Sequence, residues 1–194
     1  MKKAKNRTAA TVTTMLIIAL AILSFYFYWS FRIKPLDDIA VEEMTEVQKL
    51  LNKDLELNYP ETPREVVKLF GNMMKNLYDD ISDEETEALS LQIRKLYDEE
   101  LLAANPEEIY LANLYSDIAS WKEDNRRITA SHLTKDDLDQ QEEIEGINYA
   151  IVHLSYTIQE SGKFTEVWRV MLRQDEGKKW KILGWQVVPE TTSE

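Results

Sequence analysis

Hydrophobic positions along this chain follow three successive spacings, and each spacing predicts a different kind of element. The first is unbroken. Met15-Leu-Ile-Ile-Ala-Leu-Ala-Ile-Leu-Ser-Phe-Tyr-Phe-Tyr28 carries no charge, and the uncharged stretch extends over residues 9–31. As a helix it would be about 35 Å long, enough to cross a hydrocarbon core of roughly 30 Å with some tilt. A transmembrane anchor over 9–31 is the expectation.

The second spacing is three and four residues, the period of a helix buried on one face. Ile39, Met44, Val47, Leu50 and Leu51 predict a short stem helix over 37–53, closed at Asn58-Tyr-Pro60 because the residue before proline is pushed out of helical geometry. Thr62-Pro-Arg-Glu65 is a capping-box pattern with proline at the first helical position. Val66, Val67, Phe70, Met73, Met74 and Leu77 then form one buried stripe, with Gly71 a weak point inside it. Ser82-Asp-Glu-Glu85 repeats the capping logic ahead of Leu89, Ile93, Leu96 and Tyr97, so a helical hairpin is expected. Asn105-Pro-Glu-Glu108 opens a third helix, with Ile109, Leu114, Ile118 and Trp121 as its inward side.

From Ile128 the period becomes two, which predicts strands. A short first strand over 128–133 leads into an acidic connection over 135–145. Gly146 starts a long strand whose apolar side is Ala150, Val152, Leu154, Tyr156 and Ile158. Ser161-Gly162 turns the chain, Phe164, Trp168, Val170 and Leu172 line the matching side of the next strand, and Asp175-Glu-Gly-Lys178 turns it again. Trp180 and Ile182 continue that side, and Gly184 marks a bulge after which Trp185 or Val187 changes faces. The fold class is therefore α+β, with three helices covering one face of a four-stranded antiparallel sheet.

That order of elements, and the closing pattern Val167-Trp-Arg-Val-Met-Leu-Arg followed by Asp175-Glu-Gly-Lys-Lys-Trp-Lys-Ile-Leu-Gly-Trp185, resembles the nuclear transport factor 2-like (cystatin-like) superfamily. It is also similar to small uncharacterised bacterial proteins with an N-terminal anchor and such a domain outside. The resemblance covers residues 62–188 and implies a cone with a pocket between helices and sheet. Members include isomerases, dehydratases, binding domains and assembly components, and no motif here carries their catalytic residues across.

Charge fixes the expected orientation. Lys2, Lys3, Lys5 and Arg7 precede the apolar run, whereas Asp37, Asp38, Glu42 and Glu43 follow it after Arg32 and Lys34. The positive-inside bias puts the N-terminus in the cytoplasm and the rest outside the cell, with Phe25, Tyr26, Phe27, Tyr28, Trp29 and Phe31 as an outer aromatic belt. Ala19-Leu-Ala21 also matches a signal-peptide cleavage pattern, but a cut there would leave a greasy terminus beginning at Ile22, so an uncleaved signal anchor is the preferred reading. With no cysteine in the chain, neither a lipid-modified cysteine nor a disulfide can contribute.

The expected division is a basic tail over 1–8, the anchor over 9–31, a stem over 32–61, an extracytoplasmic domain over 62–190 and a tail over 191–194. Residues 1–34 hold six Lys/Arg and no Asp/Glu, which leaves 17 basic and 35 acidic side chains beyond them and a net charge of −18. Such a surface repels phosphate backbones, so nucleic acid is not an expected partner.

Chemistry is sparse. Five scattered glycines supply no phosphate-cradling loop or dinucleotide fingerprint, and no nucleophile elbow or zinc motif is present. No cofactor and no metal are expected. The two histidines, His132 and His153, would need added carboxylates to hold a metal, and the acidic run from Asp136 to Glu145 lacks the spacing of a calcium loop. Phe70, Met74, Leu154, Tyr156, Trp168, Leu172 and Trp180 form the inward set, as core or as the lining of a pocket. Tyr149, Ile151, Val167, Met171 and Leu183, with Trp185 as a candidate sixth, make the opposite sheet face more apolar than water warrants, which suggests cover by a second copy or another membrane protein. The functional expectation is a binding or assembly module at the cell surface. The alternative is a small pocket enzyme, with His153 and Tyr156 as its best candidates, or a binder of small apolar ligands.

Overall fold

The computed structural model describes residues 44–135 and 138–189. The anchor over 9–31 and the start of the stem lie outside them, and no helix among the described residues is long and apolar enough to cross a membrane. The folded unit begins at Met44 and is α+β: helices α1 (Glu46–Leu51), α2 (Pro63–Leu77), α3 (Asp83–Arg94), α4 (Glu99–Ala104) and α5 (Glu107–Glu123) precede strands β1 (Arg127–Leu133), β2 (Gln140–Ile144), β3 (Ile147–Gln159), β4 (Lys163–Gln174) and β5 (Trp180–Val188).

The helix starts follow from their caps. Thr62 and Ser82 each accept from the backbone of the glutamate three residues on, while that glutamate accepts from the cap backbone. Thr45 and Gln48 repeat the arrangement at α1, which packs against α2 and α3. Stretch 44–61, read as stem from sequence, contributes Val47 and Leu55 to the core. α4 is an additional helix: Asp98 caps it and it is too short and too weakly buried to leave a periodic stripe. In α5, Leu114 and Ile118 are buried as expected, but Ile109 is 59% exposed and Tyr110 turns inward in its place.

The sheet runs β1-β3-β4-β5, antiparallel throughout, and it contains five strands rather than four because β2 also pairs with β3. β1 covers one half of β3's outer edge and β2 the other half. All five residues of β2 are exposed, so no hydrophobic alternation announces it and the stretch reads as an acidic loop. Its signal is the turn instead: Ile144 pairs with Ile147 across Glu145-Gly146, both at positive φ, the backbone of a tight two-residue hairpin. Where β1 stops and β2 has not begun, His153 has no strand partner for its N–H, and Asp139 supplies a carboxylate oxygen at 3.2 Å. Arg64 of α2 pairs with the same carboxylate and donates to the Thr134 carbonyl at 2.9 Å.

Even-numbered residues of β3 and β4 face the helices. Phe70, Leu154, Tyr156 and Leu172 are fully buried there, and Met74 and Trp180 nearly so. α2 approaches the sheet closely at Gly71, over Ser131 and Leu154. On the odd-numbered face Tyr149, Ile151 and Val167 are half-buried, as is Leu183 on β5, and Met171 is 39% exposed.

β5 carries a bulge: Leu172 pairs with Ile182 and Met171 with Gly184, leaving Leu183 as the extra residue. Beyond it the alternation is inverted, and Trp185 stands opposite Val170 on the helix-covered face. Trp185 is therefore not part of the outer face.

Candidate functional site

A cavity of about 360 Å³ opens between α2, α5, the chain before α4 and the end of β5. Each lining group is placed by a local rule. Tyr78 is the C-cap of α2 and Asn105 the C-cap of α4. Tyr110, Asn113, Leu114 and Asp117 stand at the i, i+3, i+4, i+7 positions of α5, so one helix face points all four at the cavity. Tyr97 lies where the chain runs parallel to β5: Ile182 N–H donates to the Leu96 carbonyl at 2.8 Å and Asp98 N–H to the Ile182 carbonyl at 2.9 Å. Trp185 arrives through the β5 bulge, and Met74 comes from the core stripe of α2.

The walls are aromatic. Tyr97 stands perpendicular to Tyr110, ring centroids 6.3 Å apart, and lies 5.8 Å from Trp185. Trp185 stacks on Trp168 at 6.0 Å with the rings nearly parallel, and Tyr156 meets Trp168 edge-on at 5.0 Å. At the mouth the Tyr78 hydroxyl donates to an oxygen of exposed Asp117, and the Tyr78 ring packs on Trp121 at 4.4 Å. Asp117 is the only carboxylate among the described residues that line the cavity.

A half-buried polar cluster supports this end of the sheet. Glu166 accepts from the Trp168 indole at 3.0 Å and from Arg126 at 3.3 Å. The Arg126 guanidinium lies 4.3 Å over the Trp121 ring, so the C-terminal end of α5 is tied to β4. The Tyr156 hydroxyl is fully buried and has no hydrogen-bond partner among the described residues.

Electrostatics keep the phenols neutral. Burial, then the hydrogen bond to Asp117, pushes the Tyr78 hydroxyl far above the usual tyrosine value. Burial and neighbouring Tyr110 do the same to Tyr97, burial raises Tyr110, and burial with the charge of Glu166 raises Tyr156. These groups act as hydrogen-bond donors across the physiological range, not as bases. The cavity can hold a ligand against ring faces and orient it with phenol, amide and carboxylate groups. Among the described residues its lining contains no serine, cysteine, lysine or histidine, and Asp117 is the one carboxylate there that could serve as a general base.

Of the inward set expected from sequence, Met74 lines the cavity and Trp168 backs it; Phe70, Leu154, Tyr156, Leu172 and Trp180 are core. His153 and Tyr156 do not share a site, because they are three apart on one strand and their side chains leave opposite faces of the sheet. His153 faces the outer side, with Nδ1 3.8 Å from Asp139. Among the described residues no three His, Asp or Glu side chains converge as a metal site would require. Sequence reading missed Tyr78, Tyr97, Tyr110, Asn113 and Asp117 as a set. The α5 members carry a helical spacing, but polar residues in a buried stripe look like a solvated face.

A family model described as a domain of unknown function (DUF6715) matches residues 1–185, and the chain belongs to that family. No curated protein matches the chain.

Proposed function

We propose that this member of the DUF6715 family is a single-pass, membrane-anchored binding module whose folded domain lies outside the cell and takes a small ligand in the aromatic cavity. The observation that carries the binding reading is the convergence of Tyr78, Tyr97, Tyr110 and Trp185 on one open cavity whose lining, among the described residues, holds no serine, cysteine, lysine or histidine. The anchor is supported by the uncharged run over 9–31 and by the Lys/Arg excess before it. The nuclear transport factor 2-like assignment is part of this proposal, supported by the helices on one face of an antiparallel sheet and a cavity between the two layers.

The test is a panel of small aromatic, apolar, cationic and hydroxylated compounds added to the full-length chain in an uncharged detergent, read by tryptophan fluorescence and thermal shift. Saturable quenching by at least one compound class, lost in Trp185→Phe, is expected. A response that persists unchanged in Trp185→Phe would move binding elsewhere. Topology is checked in intact protoplasts, where external protease should remove residues 44–189; full protection of the domain would overturn the extracytoplasmic placement.

One observation favours a second reading, a pocket enzyme: the Tyr78–Asp117 hydrogen bond puts a phenol donor beside a carboxylate at the cavity mouth. That reading requires a compound of the panel to be converted, and both Tyr78→Phe and Asp117→Asn to abolish the conversion.

A further inference from the structure

We infer that the ligand class of the aromatic cavity is a compact organic cation of the quaternary or substituted ammonium type; this rests on the binding reading above. Ring faces attract cations through their quadrupoles when the charge lies within about 6 Å of the centroid. Tyr97 and Tyr110 meet edge to face at 88° with centroids 6.3 Å apart, Trp185 lies tilted 5.8 Å from Tyr97, and all three rings line the cavity. The Arg94 guanidinium already sits 4.9 Å over the Tyr110 ring, so one of these rings is engaged with a cation within the fold.

Charge points the same way. Asp117 accepts from the Tyr78 hydroxyl, and among the described residues no Lys, Arg or His lies within ion-pair distance of it. The carboxylate at the mouth is therefore not neutralised, and it belongs to a segment of net charge −18 beyond residue 34. Such a field concentrates cations at an opening and repels anions from it. An anionic ligand would meet Asp117 uncompensated. A neutral polyol could use Asn113 and the phenols but would leave both the ring quadrupoles and the mouth charge without a counterpart.

The experiment compares choline with its uncharged isostere, in which carbon replaces the quaternary nitrogen, on the full-length chain in an uncharged detergent. Binding is followed by fluorescence and by the Trp185 indole resonance, assigned with Trp185→Phe. Choline should bind saturably and roughly tenfold or more tightly than the isostere. Asp117→Asn, an exposed substitution that leaves the core untouched, should weaken choline by about five- to tenfold and the isostere by much less. Equal affinity for choline and the isostere, or an unaltered choline affinity in Asp117→Asn, would overturn the cation inference while the pocket reading stands. If neither probe nor any compound of the wider panel perturbs Trp185, both readings fall together.

Discussion

Gly71→Ala should destabilise this protein although alanine is the better helix former. In the sequence Gly71 reads as a weak point of α2, and helix propensity alone predicts a gain of about 1 kcal/mol on replacing it. In the fold it lies directly against the sheet. A Cβ there would lie 2.4 Å from Ser131 Oγ and 2.9 and 3.0 Å from the two Leu154 methyl carbons, whereas carbon atoms in contact prefer roughly 3.5–4.0 Å. Leu154 is fully buried, so its methyls have no free volume to enter and the helix must lift or the side chain leave its rotamer. Overpacking of this kind costs typically 1–3 kcal/mol, and three clashes at once put it near the top of that range. Subtracting the propensity gain leaves a net loss of about 1–2 kcal/mol, or roughly 3–6 °C in Tm for a domain of this size. Urea unfolding followed by circular dichroism measures it, with Gly184→Ala as control because a Cβ there meets nothing within 4 Å. Leu154→Val should make room for the new methyl, so the double variant should cost less than the two single changes together. A raised unfolding midpoint in Gly71→Ala would refute the close-approach argument, and strict additivity with Leu154→Val would refute the assignment of the clash.

Asp98→Ala removes the α4 cap and both oxygens that accept from Arg173, at 3.1 and 2.6 Å, and should cost about 3 kcal/mol in urea unfolding; Asp98→Asn, which keeps the cap, should cost less. Tyr59, Tyr78, Tyr97 and Tyr156 have hydroxyls raised above their unfolded value by burial first, so the native state keeps protons that the unfolded chain gives up. Stability from these groups is full below about pH 10 and declines as pH rises above it, and in an alkaline titration their phenolate absorbance should appear only as the fold is lost. Val167→Glu with Met171→Glu on the outer sheet face should abolish self-association or crosslinking to a membrane partner while leaving the melting midpoint within a few degrees. Sedimentation of the wild type as a strict monomer, with no crosslinked partner in membranes, would dismiss that interface.

Local rules made much of this architecture readable from the residues alone. Thr62 with Glu65 and Ser82 with Glu85 set two helix starts because a cap is satisfied within four residues of chain. The even positions of β3, Ala150 to Ile158, declare the buried face because a strand with one side in a core must alternate. The sum of these local choices is an α+β unit, and its acidity comes directly from composition. What the residues could not declare was anything that depends on two distant segments meeting. β2 has no buried side, so only its pairing with β3 makes it a strand. Gly184 signalled a bulge, but whether Trp185 enters the cavity depends on the register between β4 and β5, where Leu183 is the extra residue, and sliding that register by one would return Trp185 to the outer face. The cavity brings together the end of α2, the chain before α4, one face of α5 and the end of β5, so Tyr78, Tyr97, Tyr110 and Asp117 become one site only through packing. Periodicity records which side of an element is buried; which elements then face one another is settled by long-range contacts that no window of sequence contains.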